Sequence, residues 1–355
     1  MNTKKTKNIF LTIFYLHVFL FCSSLEAEII KSFSFFLKSE FAQESNIFED
    51  SEKEVLDNNG QFWCGLNYTK TKSKKFLLID WIGNFAVYQN NPREKKVTNT
   101  FNLRNKHDFS PSLFFSIHIN LFNKIWINNN GDYLNGEING RLGYKKAKTI
   151  SQIGLYYRNN YYESFKLFNS EQKGIILELL HSLNPYTILN WKLDYTEARY
   201  LNRTIFHEGD SDETSNLPFQ KDKILSTQIG VEYRKKMIAG ANCRLLFTDS
   251  NSDYSSFYNL SLQLYATRKI FKTIIQVITQ VQLKQYTDDP TEHLMYYNPD
   301  PEQNVQNQFF LGWERPVIGK LSMTGKLALM RNETRYIGIY YDKWFLSTGI
   351  QYRFE

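Results

Sequence analysis

Residues 256–267 read SFYNLSLQLYAT, and this stretch decides the fold. Tyr258, Leu260, Leu262, Leu264 and Ala266 fall on one face, with Asn259, Ser261 and Gln263 on the other. A period of two is the mark of a strand whose faces meet different surroundings. The dyad continues through 270–286, where Phe271, Ile275, Val277, Val281 and Leu283 oppose Lys272, Gln276, Gln280, Gln282 and Lys284. It recurs in 223–235 and 317–330. Noisier copies lie at 76–88, 113–121, 132–143, 148–158, 174–182, 186–196, 237–249, 306–314, 334–341 and 344–354, with weaker ones at 61–69 and 96–104.

These segments run to about twice the five or six residues of an ordinary strand, near the ~9–11 that a tilted strand needs to cross a bilayer. A soluble, secreted sandwich of so many long strands would leave unpaired edges. Closure into a barrel removes the edges and satisfies every backbone group within lipid. The expected fold is all-β, an antiparallel transmembrane β-barrel of about 14 to 16 strands over residues 61–355.

Composition agrees with strands and argues against other classes. Twenty-eight Phe, 23 Tyr and 6 Trp make the 355-residue chain 16% aromatic, a surplus of strand formers. The net charge of +7 is interleaved with 36 acidic residues rather than gathered in a patch, which speaks against nucleic acid. Three cysteines, of which Cys64 and Cys243 lie beyond the leader, make no disulfide scaffold, and no Cys or His spacing suggests zinc. No cofactor is expected.

Residues 1–27 have the layout of a secretory signal: Lys4, Lys5 and Lys7, an apolar run from Ile9 to Phe21, then Ser23, Ser24 and Ala27. The run is too short for a spanning helix, and the bulky Phe21 before Cys22 speaks against a lipoprotein. Residues 28–60 differ from the rest. Ile29, Ile30, Phe33, Phe36, Leu37 and Phe41 approach helical spacing, and acidic residues follow, so a short, partly helical extension or plug is expected there.

The segment 344–354 places Leu346, Thr348, Ile350, Tyr352 and Phe354 on one face. This pattern resembles the C-terminal strand of bacterial outer-membrane β-barrel proteins, and the resemblance extends to the signal and the repeated amphipathic strands. It implies an outer-membrane location, a lipid environment, and reading of Ile350, Tyr352 and Phe354 by the barrel-assembly machinery. Glu355 after the aromatic is a small departure.

If the polar faces line a lumen, the wall carries Arg141, Lys192, Asp194, Glu232, Arg234, Arg244, Lys272, Lys284, Glu314, Lys320 and Lys326, with Glu137 and Glu178. Such a lumen suits passive passage of small polar solutes with a mild preference for anions, unless the charges pair across the lumen and merely solvate it. An export or assembly factor using loops and the N-terminal segment to bind a periplasmic or surface protein is the alternative. A barrel-embedded hydrolase is another, with Ser116 and His118 on one strand face and no catalytic cluster around them. The loops 203–222 and 287–305 are rich in acidic residues and are weighed as calcium ligands, without an EF-hand order. With both chain ends on one side, this strand list puts those long loops on the same side as the ends and the short turns near Lys236, Arg268, Pro316 and Asp342 opposite. Outer-membrane barrels usually show the reverse.

Overall fold

A computed structural model describes residues 32–47, 52, 54–128, 131–205, 218–252, 255–287, 307–333 and 340–354. The described residues form sixteen strands: β1 (Ser32–Glu44), β2 (Asp57–Lys72), β3 (Lys75–Tyr88), β4 (Lys96–Asp108), β5 (Leu113–Trp126), β6 (Tyr133–Lys146), β7 (Thr149–Tyr162) and β8 (Ser170–Asn184), then β9 (Thr187–Thr204), β10 (Phe219–Arg234), β11 (Ile238–Ser250), β12 (Phe257–Ile270), β13 (Thr273–Tyr286), β14 (Asn307–Ile318), β15 (Leu321–Glu333) and β16 (Tyr340–Phe354). Each pairs antiparallel with its neighbours in sequence, and β1 pairs with β16 from Phe35↔Phe354 to Glu44↔Phe345, closing the barrel. No edge is left to pair with another chain.

The two faces of each strand follow the dyad. On β12, Tyr258, Leu260, Leu262 and Leu264 are exposed on the outside, while Asn259, Ser261 and Gln263 are partly buried inside. The same belt includes Leu155, Ile229, Leu283 and Ile350. An outward belt this apolar, around a sheet with no free edge, is covered by hydrocarbon in place of water.

The first strand corrects the N-terminal expectation. Residues 32–44 are β1, β2 starts at Asp57, and no α-helix occurs among the described residues, so 28–60 holds barrel wall and not a partly helical extension. Phe33, Phe35, Leu37 and Phe41 face outward, and Lys38, Glu40, Ala42 and Glu44 face inward. Phe36 also faces inward, its ring lying where a Cβ on Gly65 would sit. That inward Phe breaks the alternation and mimics helical spacing. The signal segment 1–27 lies outside the described residues.

A second correction falls near the other end. Glu333 pairs with Tyr340 and β15 pairs directly with β16, so Tyr340 and Tyr341 open β16 and do not end a separate strand; residues 334–339 lie outside the described residues. One strand missed and one added leave the count unchanged but invert the sidedness. The turns 73–74, 109–112, 147–148, 185–186, 235–237, 271–272 and 319–320 all lie at one end, together with the start of β1 and the end of β16. The connections 45–56, 205–218 and 287–306 lie at the other. Short turns and strand ends together, opposite long loops, is the ordinary outer-membrane arrangement, and it removes the conflict in the sequence.

Candidate functional site

The lumen wall is built by the inward face of every strand, and cross-strand register fixes which side chains share it. Asn139 stands opposite His118 and Tyr156, and Asp194 stands opposite Ile176 and Ser226. Arg141, Lys192, Asp194, Glu232, Arg234, Arg244, Lys284, Glu314 and Lys326 all occupy inward register positions. Lys272 and Lys320 do not: they sit in the turns 271–272 and 319–320 at the barrel rim. The alternation stops short of both: Phe271 and Gly319, the residues before them, take positive φ and turn the chain ahead of β13 and β15.

Most of these charges are paired along the wall. Arg141 Nη1 donates to Glu178 Oε2 at 2.6 Å, and Gln152 Nε2 donates to the same oxygen at 3.2 Å. Arg158 Nη2 meets Glu137 Oε2 at 2.6 Å, and Lys192 Nζ meets Asp194 Oδ2 at 3.4 Å. Arg234 pairs with Glu232, which also accepts from the Tyr265 hydroxyl at 2.6 Å. Lys284 pairs with Glu333 at 2.7 Å, and Arg353 with Glu314 at 2.6 Å. Tyr156, its ring over Gly174, donates to Asp194 Oδ1 at 3.0 Å and bonds Thr196.

Two further carboxylates that sequence reasoning missed organise the closing seam. Glu40, with no exposed side-chain surface, takes Lys38 at 2.7 Å, Lys326 at 3.2 Å and the Ser347 hydroxyl at 3.2 Å. Glu44 takes Lys343 at 2.6 Å, the Tyr88 hydroxyl at 3.1 Å and Asn59 Nδ2 at 3.1 Å. Both lie on β1, where the inward Phe36 breaks the alternation that would mark them as lumen-facing. Beside them, Trp63, Asn84, Tyr88, Lys96 and Tyr341 line a cavity of about 320 Å³, with Lys326 Nζ 4.9 Å from the Trp63 ring centroid. Further along the wall at the same long-loop end, Tyr133 on β6 stacks on Tyr162 on β7 at 4.4 Å, and Tyr162 is edge-on to Phe168. Arg104 and Arg244 stand apart: both face the lumen without an ion-pair partner among the described residues, although Arg244 donates to Ser226 Oγ at 3.3 Å.

Paired tyrosines in the sequence split between the surfaces, as a period of two demands. Tyr157 and Tyr161 face lipid, while Tyr156, Tyr162 and Tyr341 are buried on the lumen side; Tyr296 and Tyr297 lie outside the described residues. Ser116 and His118 both face the lumen, yet no hydrogen bond joins them among the described residues, and the buried Ser116 Oγ has no partner. The acidic loops 203–222 and 287–305 lie largely outside the described residues. Cys64 and Cys243 face outward on β2 and β11, both free.

A closed sixteen-stranded antiparallel barrel with an apolar outside, a polar inside and short turns at the end that holds β1's start defines an outer-membrane β-barrel. No protein-family model matches the chain, and no curated protein does. Among solved structures, the chain is similar to the outer membrane protein opdK from Pseudomonas aeruginosa, at 10% identity and a TM-score of 0.47, over 92% of this chain and 100% of that one. OccK2 (OpdF) of the same organism, solved in complex with glucuronate, shows 8% identity and a TM-score of 0.47 over 92% and 100%. CdiB from Acinetobacter baumannii shows 7% identity and a TM-score of 0.46 over 92% of this chain and 60% of that one. At these identities and scores the likeness is one of barrel shape only.

Proposed function

We propose that this barrel is a passive outer-membrane pore for small polar solutes. The observation that carries the reading is the wall itself: sixteen strands enclose a lumen lined by amides, hydroxyls and charges already paired with one another. Barrels of this strand number are wide enough to leave an aqueous channel. A wall whose carboxylates accept from neighbouring Arg and Lys holds little net field, so the pore discriminates weakly by charge. Arg104 and Arg244, without an ion-pair partner among the described residues, add a small preference for anions, offset in part by the inward Asp80, which accepts from Asn67 at 3.5 Å. No chemical step is assigned to the wall.

Liposome swelling with the refolded chain tests this reading. Swelling in isotonic arabinose and glucose that slows as solute size increases is the expected result. Liposomes that hold folded barrel and do not swell in either sugar would remove the pore from consideration.

A further inference from the structure

The short-turn rim has a charge pattern that the lumen does not use. Four of its turns read KSKK (72–75), KKAK (145–148), RKK (234–236) and RKIFK (268–272), without one acidic residue. Lys145 is held by Asp108 at 3.6 Å and Arg234 by Glu232. Lys74, Lys146, Lys148, Lys236 and Lys272 are exposed and have no ion-pair partner among the described residues. At the same level, apolar side chains stand exposed at the turn tips, Phe271 at 96% and Ile318 at 74%. The acidic residues of the chain concentrate instead in the connections at the opposite end, such as 45–56 and 287–306.

We infer that this rim is a ring of sites for anionic phospholipid headgroups in the leaflet on the short-turn side. Turns this short hold their lysines at the foot of the apolar belt, at the depth where headgroups lie, with no extension toward solution. A lysine there lays its alkyl stem along the belt and its ammonium against phosphate, while an aromatic tip such as Phe271 seats among the upper acyl carbons. Basic clusters beside a membrane surface attract anionic lipid by charge, within a screening length of the phosphates. The geometry favours lipid over an acidic protein. The four basic turns join β2 to β3, β6 to β7, β10 to β11 and β12 to β13, spread around the circumference, where one protein would cover an arc and a leaflet covers all of it.

The test is electron spin resonance of the full barrel in phosphatidylcholine bilayers, with spin-labelled phosphatidylglycerol or phosphatidylcholine as the probe. At low salt the phosphatidylglycerol probe is expected to associate about fivefold more strongly, and the preference to fall towards unity at 1 M salt, where the screening length is about 3 Å. The variant K74Q/K146Q/K148Q/K236Q should lose most of the preference at low salt. Equal association of both probes at low salt, or a preference that survives salt and the variant alike, would overturn the assignment. Recruitment of polyglutamate to the rim without any lipid preference would overturn it in favour of a protein partner.

Discussion

Lys326 on β15 reaches across β16 to the carboxylate of Glu40 on β1, at 3.2 Å, so one ion pair spans the seam where the last strands meet the first. Lys38 completes the node at 2.7 Å, and all three side chains are largely withdrawn from water. Removing the carboxylate leaves two poorly hydrated ammonium groups facing each other. Glu40→Ala is expected to cost on the order of 3 kcal/mol, because breaking a buried pair strands its partners. Urea unfolding of the barrel in detergent checks this, and Glu40→Gln, which keeps the volume but not the charge, should lose nearly as much.

The residual field of the lumen should map to Arg104 and Arg244. In a salt gradient, Arg104→Gln with Arg244→Gln is expected to shift the reversal potential towards the cation side. Lys284→Gln with Glu333→Gln, which removes both members of the pair at 2.7 Å and leaves the net wall charge unchanged, should leave it near the wild-type value. A shift as large as that of the arginine pair would show that the residual field does not come from Arg104 and Arg244.

Sidedness can be read with cysteines. Arg93→Cys lies at the long-loop end and Lys74→Cys at the short-turn end, while the native Cys64 and Cys243 face lipid. A charged, membrane-impermeant maleimide added to intact cells should label the first variant and not the second. Both native cysteines should react only with an apolar reagent, and oxidation should leave gel mobility unchanged, since they are free and nine strands apart in sequence order.

Phe354 faces lipid on β16, with Phe35 of β1 at 5.6 Å and Tyr352 at 4.6 Å between ring centroids. If Ile350, Tyr352 and Phe354 form the assembly signal that the final strand resembles, Phe354→Ala should cut the folded yield in cells several-fold. The same variant refolded in detergent should lose only about 1 kcal/mol, the scale of an aromatic pair. Equal losses in both settings would mean that the residue acts by packing alone.

The barrel was legible because outward Leu, Ile and Val alternate with inward Gln, Asn and Ser over most of β10, β12 and β13, a period of two that marks strands with two different surroundings. Where an aromatic sits inside, the rule fails: Phe36 over Gly65 disguised β1. Next to Tyr340 and Tyr341, one outward and one inward at the start of β16, an extra strand was read into 334–341. Each slip alone would have changed the count, and together they reversed inside and outside. The wall cations on long, regular strands were readable by parity. Their partners were not, because Arg141 with Glu178 and Lys326 with Glu40 meet across strands far apart in sequence, which only register can reveal.

The most direct test of the pore is planar-bilayer recording from the refolded chain under a salt gradient. Discrete ohmic steps with a reversal potential near zero and slightly to the anion side are expected from a wide lumen whose charges are mostly paired. A barrel that is folded and inserted, as judged by resistance to denaturation in detergent, yet never conducts would contradict the account.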